Sequence, residues 1–172
     1  MRVITETFKV YKFNELTEAS KEKALDKHIH INVNFDWWEV TYQDVKNHLG
    51  IQLQGFDIGR GSNVDYNKSE LMASIRSSND FLEALKEYYP TKEYLQTMVS
   101  DYSKKSAEYE KSEYSERVEE ELEQIEYEIT SNLDYMLLTM LRNEYDYLTS
   151  KEAIIETFEA NEYEFKENGE IY

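Results

Sequence analysis

Between Val118 and Met140 an apolar residue returns every three or four positions, through Leu122, Ile125, Ile129, Leu133 and Met136. Only a helix gathers residues at that spacing onto one face, and such a face must be covered. The chain carries one proline and five glycines in 172 residues, so little interrupts long elements. Thr91 to about Leu148 therefore reads as helix throughout. A thinner stripe, Leu95, Val99, Tyr102 and Tyr109, precedes the firm one. Ser103 to Ser115 holds no aliphatic side chain larger than Ala107, which predicts the tip of a helical hairpin or a frayed link there.

The flanks read differently. Val3 to Phe13 is rich in β-branched and aromatic residues that partly alternate, and predicts a strand. Thr17 is an N-cap for a helix carrying Ala24, Leu25 and His28, which Asn32 to Asn34 breaks. Asp36 opens a second helix in which Trp37, Trp38, Tyr42, Val45 and Leu49 recur, and Gly50 ends it. Ile51 to Tyr66 reads as strand, turn, strand, with the turn at Gly59-Arg60-Gly61-Ser62-Asn63. Asn67 or Ser69 starts a short helix, and Asn79 starts another that Pro90 stops. Thr149-Ser150 caps a last helix, and Tyr163 to Tyr172, turning at Asn168-Gly169, closes as a β-ribbon. The expected fold class is α+β: a small, mainly antiparallel sheet packed with helices, plus a projecting acidic helical hairpin. Residues 1–90 and 149–172 should form the core, with 91–148 as an acidic helical insertion.

Several classes fall away. Without cysteine there is neither a disulfide framework nor a thiolate metal site. No apolar run approaches the roughly 18 residues of a membrane span, and the N-terminus lacks the apolar stretch of a secretory signal. The expected location is the cytoplasm.

Charge then narrows the function. The net charge is -17, yet residues 1–50 hold eight acids against seven bases, so nearly all of it lies beyond. Asp101 to Glu128 alone contains 11 acids and four bases. On a helix Glu116, Glu119, Glu120 and Glu123 fall on adjacent turns of one side. Like charges at that spacing each cost a few tenths of a kcal/mol, which interspersed lysines would avoid. Helix carboxylates recur about every 5 Å, comparable to phosphates along a strand. One reading is a phosphate-like array that meets a basic groove; the other is a solvated helix face. Ten of the fifteen tyrosines lie between Tyr88 and Tyr147, interleaved with these acids. They either anchor an interface or pad a thin helix–helix seam.

Other constellations carry less. His28 and His30 project from different helix faces, and with His48 they read as surface or core-edge residues rather than metal ligands. Trp37 and Trp38 point about 100° apart on a helix, which places one in the core and one at its rim. The glycines of Gly55-Phe56-Asp57-Ile58-Gly59-Arg60-Gly61 match no nucleotide-binding fingerprint and read as a turn. Asp57, Asp65 and Glu70 near that turn are a weak divalent-cation candidate. No nucleophile–histidine–acid ordering is recognisable.

Val10-Tyr11-Lys12-Phe13-Asn14-Glu15-Leu16, Lys21-Glu22-Lys23-Ala24, Asp36-Trp37-Trp38-Glu39 and the Gly55–Gly61 segment carry one further signal. So do Tyr147-Leu148-Thr149-Ser150, Ala153-Ile154-Ile155-Glu156-Thr157, Ala160-Asn161 and Tyr163-Glu164-Phe165. Together they resemble a family of small acidic proteins encoded by phages, prophages and mobile elements of Gram-positive and gut bacteria. The resemblance covers head and tail well and residues 67–146 poorly, and it brings no catalytic residues with it. Phage proteins of this size and charge include anti-CRISPR proteins and other inhibitors of host defence, some of them DNA mimics.

The expectation is a non-enzymatic, anti-CRISPR-like inhibitor without cofactor or metal. It binds a basic nucleic-acid-handling protein of the host, such as a CRISPR effector, and neither nucleic acid nor membrane directly. The expected contact residues are Tyr102, Glu108, Tyr109, Glu110, Glu113, Tyr114, Glu116, Glu119, Glu120 and Glu123. The alternative is an interaction or scaffold protein whose charge serves solubility only.

Overall fold

The computed structural model describes residues 1–3, 7, 9–109 and 116–172. Among these, seven α-helices and two small two-stranded antiparallel sheets make an α+β fold, as the sequence led us to expect. The chain forms two compact units: residues 1–37 with 143–172, and residues 38–142.

The first unit joins the two ends of the chain. Strand β1 (Tyr11–Lys12) pairs antiparallel with β4 (Glu164–Phe165), setting Tyr11 opposite Phe165 and Lys12 opposite Glu164. The expected strand from Val3 shrinks here to two residues, though residues 4–6 and 8 lie outside the described residues. At the C-terminal end of β1 the Glu15 carboxylate accepts the Lys12 N–H at 2.8 Å and turns the chain into a single 3-10 turn, Phe13–Glu15. Helix α1 (Glu18–Lys27) starts where Thr17 Oγ1 accepts the Ser20 N–H at 3.3 Å. Helix α7 (Lys151–Ala160) is capped the same way by Ser150. Phe13, Leu16, Ala24, Leu25, Ile154, Phe158 and Phe165 form the core, with Phe158 and Phe165 edge to face at 4.8 Å. Asn32 is buried and bonded at both ends of its amide: its NH2 group donates to the Leu148 carbonyl at 3.0 Å and its carbonyl accepts the Thr157 hydroxyl at 2.7 Å. The closing ribbon forms as expected, with Phe165 bridging to Ile171 and Gly169 left-handed at φ 81°.

The second unit is helical around one short hairpin. Helix α2 (Glu39–Leu49) ends at Gly50, whose φ of 69° satisfies the left-handed C-cap. Strands β2 (Gly55–Asp57) and β3 (Asn63–Asp65) pair antiparallel, Phe56 opposite Val64. Asp57 closes the turn by accepting the Gly59 N–H at 2.7 Å, and a methyl group at Gly61 would lie 2.8 Å from that carboxylate. Helix α3 (Lys68–Ser77) is capped by Asn67, and α4 (Asp80–Tyr88) stops before Pro90. The Gln96 amide then donates to the Tyr89 carbonyl at 3.0 Å, tying α5 (Glu93–Tyr109) to the end of α4. Helix α6 (Glu116–Leu148) carries the long stripe, and its last turns, from Asn143, belong to the first unit.

Two expectations change. The strands form two separate ribbons, not one sheet, because the pairs lie in different units and each strand is two or three residues long. The division of the chain also differs from a core of 1–90 with 149–172 and an insertion of 91–148. Leu95, Val99, Tyr102, Leu122, Ile129 and Leu133 share one apolar core with Val45, Leu49, Ile51, Leu71, Ile75 and Leu85. The stripes of α5 and α6 are therefore covered by α2, α3 and α4, and residues 38–90 are the surface that covers them.

Candidate partner-binding surface

The acidic tract sits on α5 and α6 in the second unit, beside α3. Glu108 is exposed on α5, and Glu119, Glu120 and Glu123 are exposed on α6. Glu110, Glu113 and Tyr114 lie outside the described residues, as does the side chain of Glu116. Four described bases near the tract are engaged. Arg76 pairs with Glu126 and Lys105 with Glu121, Lys68 holds Asp134 at 2.6 Å, and Lys104 stands 3.7 Å from Asp101. Among the described residues, no cation pairs with Glu108, Glu119, Glu120 or Glu123. The negative field of this face is therefore left for solvent or a partner to meet.

The expected tyrosines separate. Tyr102 is 0% exposed and cannot anchor a partner. Its ring fills the core, the Arg76 guanidinium donates to its hydroxyl, and that hydroxyl donates to the Glu126 carboxylate. Burial, together with its hydrogen bond to Glu126, pushes the phenol up to about 12. Tyr102 thus ties α3, α5 and α6 together. Tyr109 is half-buried against the same core. It lines a cavity of about 270 Å³ with Arg76, Ser106, Glu119, Glu123 and Glu126. A second cavity, of about 230 Å³, shares Glu123 and Glu126 and adds Lys68 and Tyr127. The two make a discontinuous acidic furrow along α6.

Two exposed tyrosines of α6 lie outside the expected set, of which Tyr127 lines the furrow with Glu123 and Glu126. Tyr127 and Tyr135 are 68% and 67% exposed on α6. Both fall away from the Leu122, Ile129, Leu133 and Met136 stripe on a helical projection, so periodicity could have placed them outward.

The remaining candidates resolve locally. His48 stacks on Tyr88 at 4.1 Å, and His28 sits edge to face on Phe158 at 5.9 Å. Asp57 is spent on its own turn and Glu70 on capping with Asn67. Among the described residues, no three His, Cys, Asp or Glu side chains stand close enough to hold a metal. Trp37 is buried on Tyr145 at 5.5 Å, while Trp38 is half-exposed, edge to face with Phe56 at 5.6 Å. No helix of the described residues is long and apolar enough to cross a membrane. Compared with known proteins, the chain matches no family model, no curated protein and no solved structure.

Proposed function

We propose that this protein is a non-catalytic inhibitor that occupies the nucleic-acid groove of a basic protein with the acidic face of α5 and α6. The observation that carries this reading is the set of exposed carboxylates at Glu108, Glu119, Glu120 and Glu123, which pair with no cation among the described residues, while Arg76, Lys104 and Lys105 are committed to other acids. Carboxylates so placed retain their attraction for a partner's lysines and arginines. The contact set is Glu108, Tyr109, Glu119, Glu120 and Glu123, to which Tyr127 and Tyr135 add exposed aromatic area. Tyr102 leaves the set and acts on it only by holding α5 against α6. The resemblance to phage-encoded acidic proteins directs the reading to a host defence effector of the anti-CRISPR target kind, met in the host cytoplasm.

The test is affinity capture from bacterial lysate on the immobilised protein, followed by elution with duplex DNA. A mimic releases its partners to DNA and loses them steeply as salt rises. Partners that stay bound through both treatments would support the scaffold alternative.

A further inference from the structure

The first unit holds a second site unrelated to the α6 face. A cavity of about 340 Å³ opens between the 3-10 turn and the C-terminal end of α7, within the size range of ligand pockets. Its base is aromatic and packed: Phe13 and Phe158, 8% and 1% exposed, stand 5.3 Å apart, and half-exposed Tyr163 meets Phe158 edge to face at 6.2 Å. Glu159 and Glu162 line it as well, with Lys12 and the neutral amide of Asn14.

The ammonium of Lys12 is spoken for. It donates to the Glu162 carbonyl at 2.8 Å and stands 3.9 Å from the Glu164 carboxylate. Glu159 and Glu162 have no ion-pair partner among the described residues. The lining thus includes two exposed glutamates without an ion-pair partner among the described residues, beside the ring of Tyr163.

Glu162 is held in an unusual place. The Tyr163 N–H reaches the Phe158 carbonyl at 2.9 Å and the Glu162 N–H the Glu159 carbonyl at 3.1 Å, which is a Schellman ending for α7. Glycine is the ordinary residue at that left-handed position, yet Glu162 occupies it at φ 52°. Lys12 needs only the backbone carbonyl there, which glycine would supply equally well. The Glu162 carboxylate has no hydrogen-bond or ion-pair task among the described residues that repays the conformation, and Glu162 is one of the residues lining the cavity.

We infer that this cavity binds an alkyl side chain ending in a guanidinium or ammonium group. The stem would lie along the half-exposed ring of Tyr163 and the cation would meet Glu159 and Glu162, with cation–π attraction from that ring. The chemistry suits an arginine or lysine presented by a peptide as well as free arginine.

Solution NMR on the full chain tests this with three probes: acetyl-Gly-Arg-Gly-amide, free L-arginine, and acetyl-norleucine amide as a neutral chain of similar stem. Both cationic probes should shift the resonances of Phe13, Phe158 and Tyr163, and norleucine should not. The tighter of the two identifies the source as peptide or free amino acid. Joint Glu159→Gln and Glu162→Gln substitution should weaken arginine binding at least about tenfold, as expected for losing charged hydrogen bonds. Glu162→Gly, which suits the backbone, keeps the fold and should still weaken binding. Equal shifts with norleucine, undiminished binding by the double variant, or shifts confined to α6 would each overturn the assignment.

Discussion

Gly169→Ala should destabilise the protein far more than Gly50→Ala. Both glycines are left-handed, at φ 81° and 69°, so alanine pays the same backbone penalty of about 1 kcal/mol at either. Nothing lies within 4 Å of a methyl group built at Gly50, so that variant loses about 1 kcal/mol in all. At Gly169 the methyl would lie 2.7 Å from the Ala24 nitrogen and 3.1 Å from the Ala24 Cα and the Lys23 carbonyl carbon. These are backbone atoms of α1, and Ala24 is fully buried, so neither side can swing away. Overpacking of this kind typically adds 1–3 kcal/mol, giving about 2–4 kcal/mol for Gly169→Ala. Equilibrium urea unfolding followed by far-UV circular dichroism reads both changes. Asparagine separates the terms, since it tolerates the left-handed region but still carries a Cβ. It should largely restore position 50 and fail at position 169. Equal losses for the two alanine variants, or full rescue of position 169 by asparagine, would refute the steric argument.

Other outcomes follow from single contacts. Tyr102→Ala should lose about 3–5 kcal/mol in urea unfolding as a buried aromatic, and Tyr102→Phe about 1–2, since only the link to Arg76 and Glu126 goes. Asn32→Ala strands the Leu148 carbonyl, while the Thr157 hydroxyl can still donate to the Ala153 carbonyl at 3.0 Å, and should lose about 1–3 kcal/mol by the same measurement. Burial, reinforced by Lys27 and opposed by the Gly169 backbone hydrogen bond, lowers the His28 pKa from 6.5. The unfolded chain then binds the proton more readily, so this contribution is whole above about pH 6.5 and is lost as pH falls below it. His28→Gln should flatten that part of a stability–pH curve. Tyr127→Ala and Tyr135→Ala should each shift stability by less than about 0.5 kcal/mol, because both rings are exposed.

Local chemistry was legible where one residue decides an outcome. Thr17 and the pair Thr149-Ser150 read as N-caps, Gly50 as a C-cap and Asn168-Gly169 as a turn; the structure places each so, with Ser150 the capping member of the pair. The long stripe of α6 was legible because periodicity needs no knowledge of the partner. What covers the stripe was not. Val45, Leu71 and Ile75 come from separate elements far along the chain, and nothing in their spacing says that they meet Leu122 or Ile129. The pairing of Lys12 with Glu164 is likewise a contact between chain ends, carried by strands too short to announce themselves. Trp37 and Trp38 look like one motif, yet the unit boundary falls between them. For the surface, the acids of α6 were readable as exposed because carboxylates seldom bury unpaired. Tyr102 misled because it stands among acids. Its place three residues after Val99 on the apolar stripe was the better guide, and its burial depends on Arg76 from another helix.

The central claim is that exposed carboxylates of α6 hold a basic partner. Its most direct test is capture from bacterial lysate by two charge-reversed variants of equal charge change. One replaces Glu119, Glu120 and Glu123 by lysine; the other replaces Glu22, Glu152 and Glu156, exposed acids of the first unit. Both should fold, since exposed charge changes usually alter stability by less than about 0.5 kcal/mol each. The account predicts that the α6 variant loses the DNA-elutable partners and the first-unit variant keeps them. Retention by the α6 variant, with loss in the other, would contradict it.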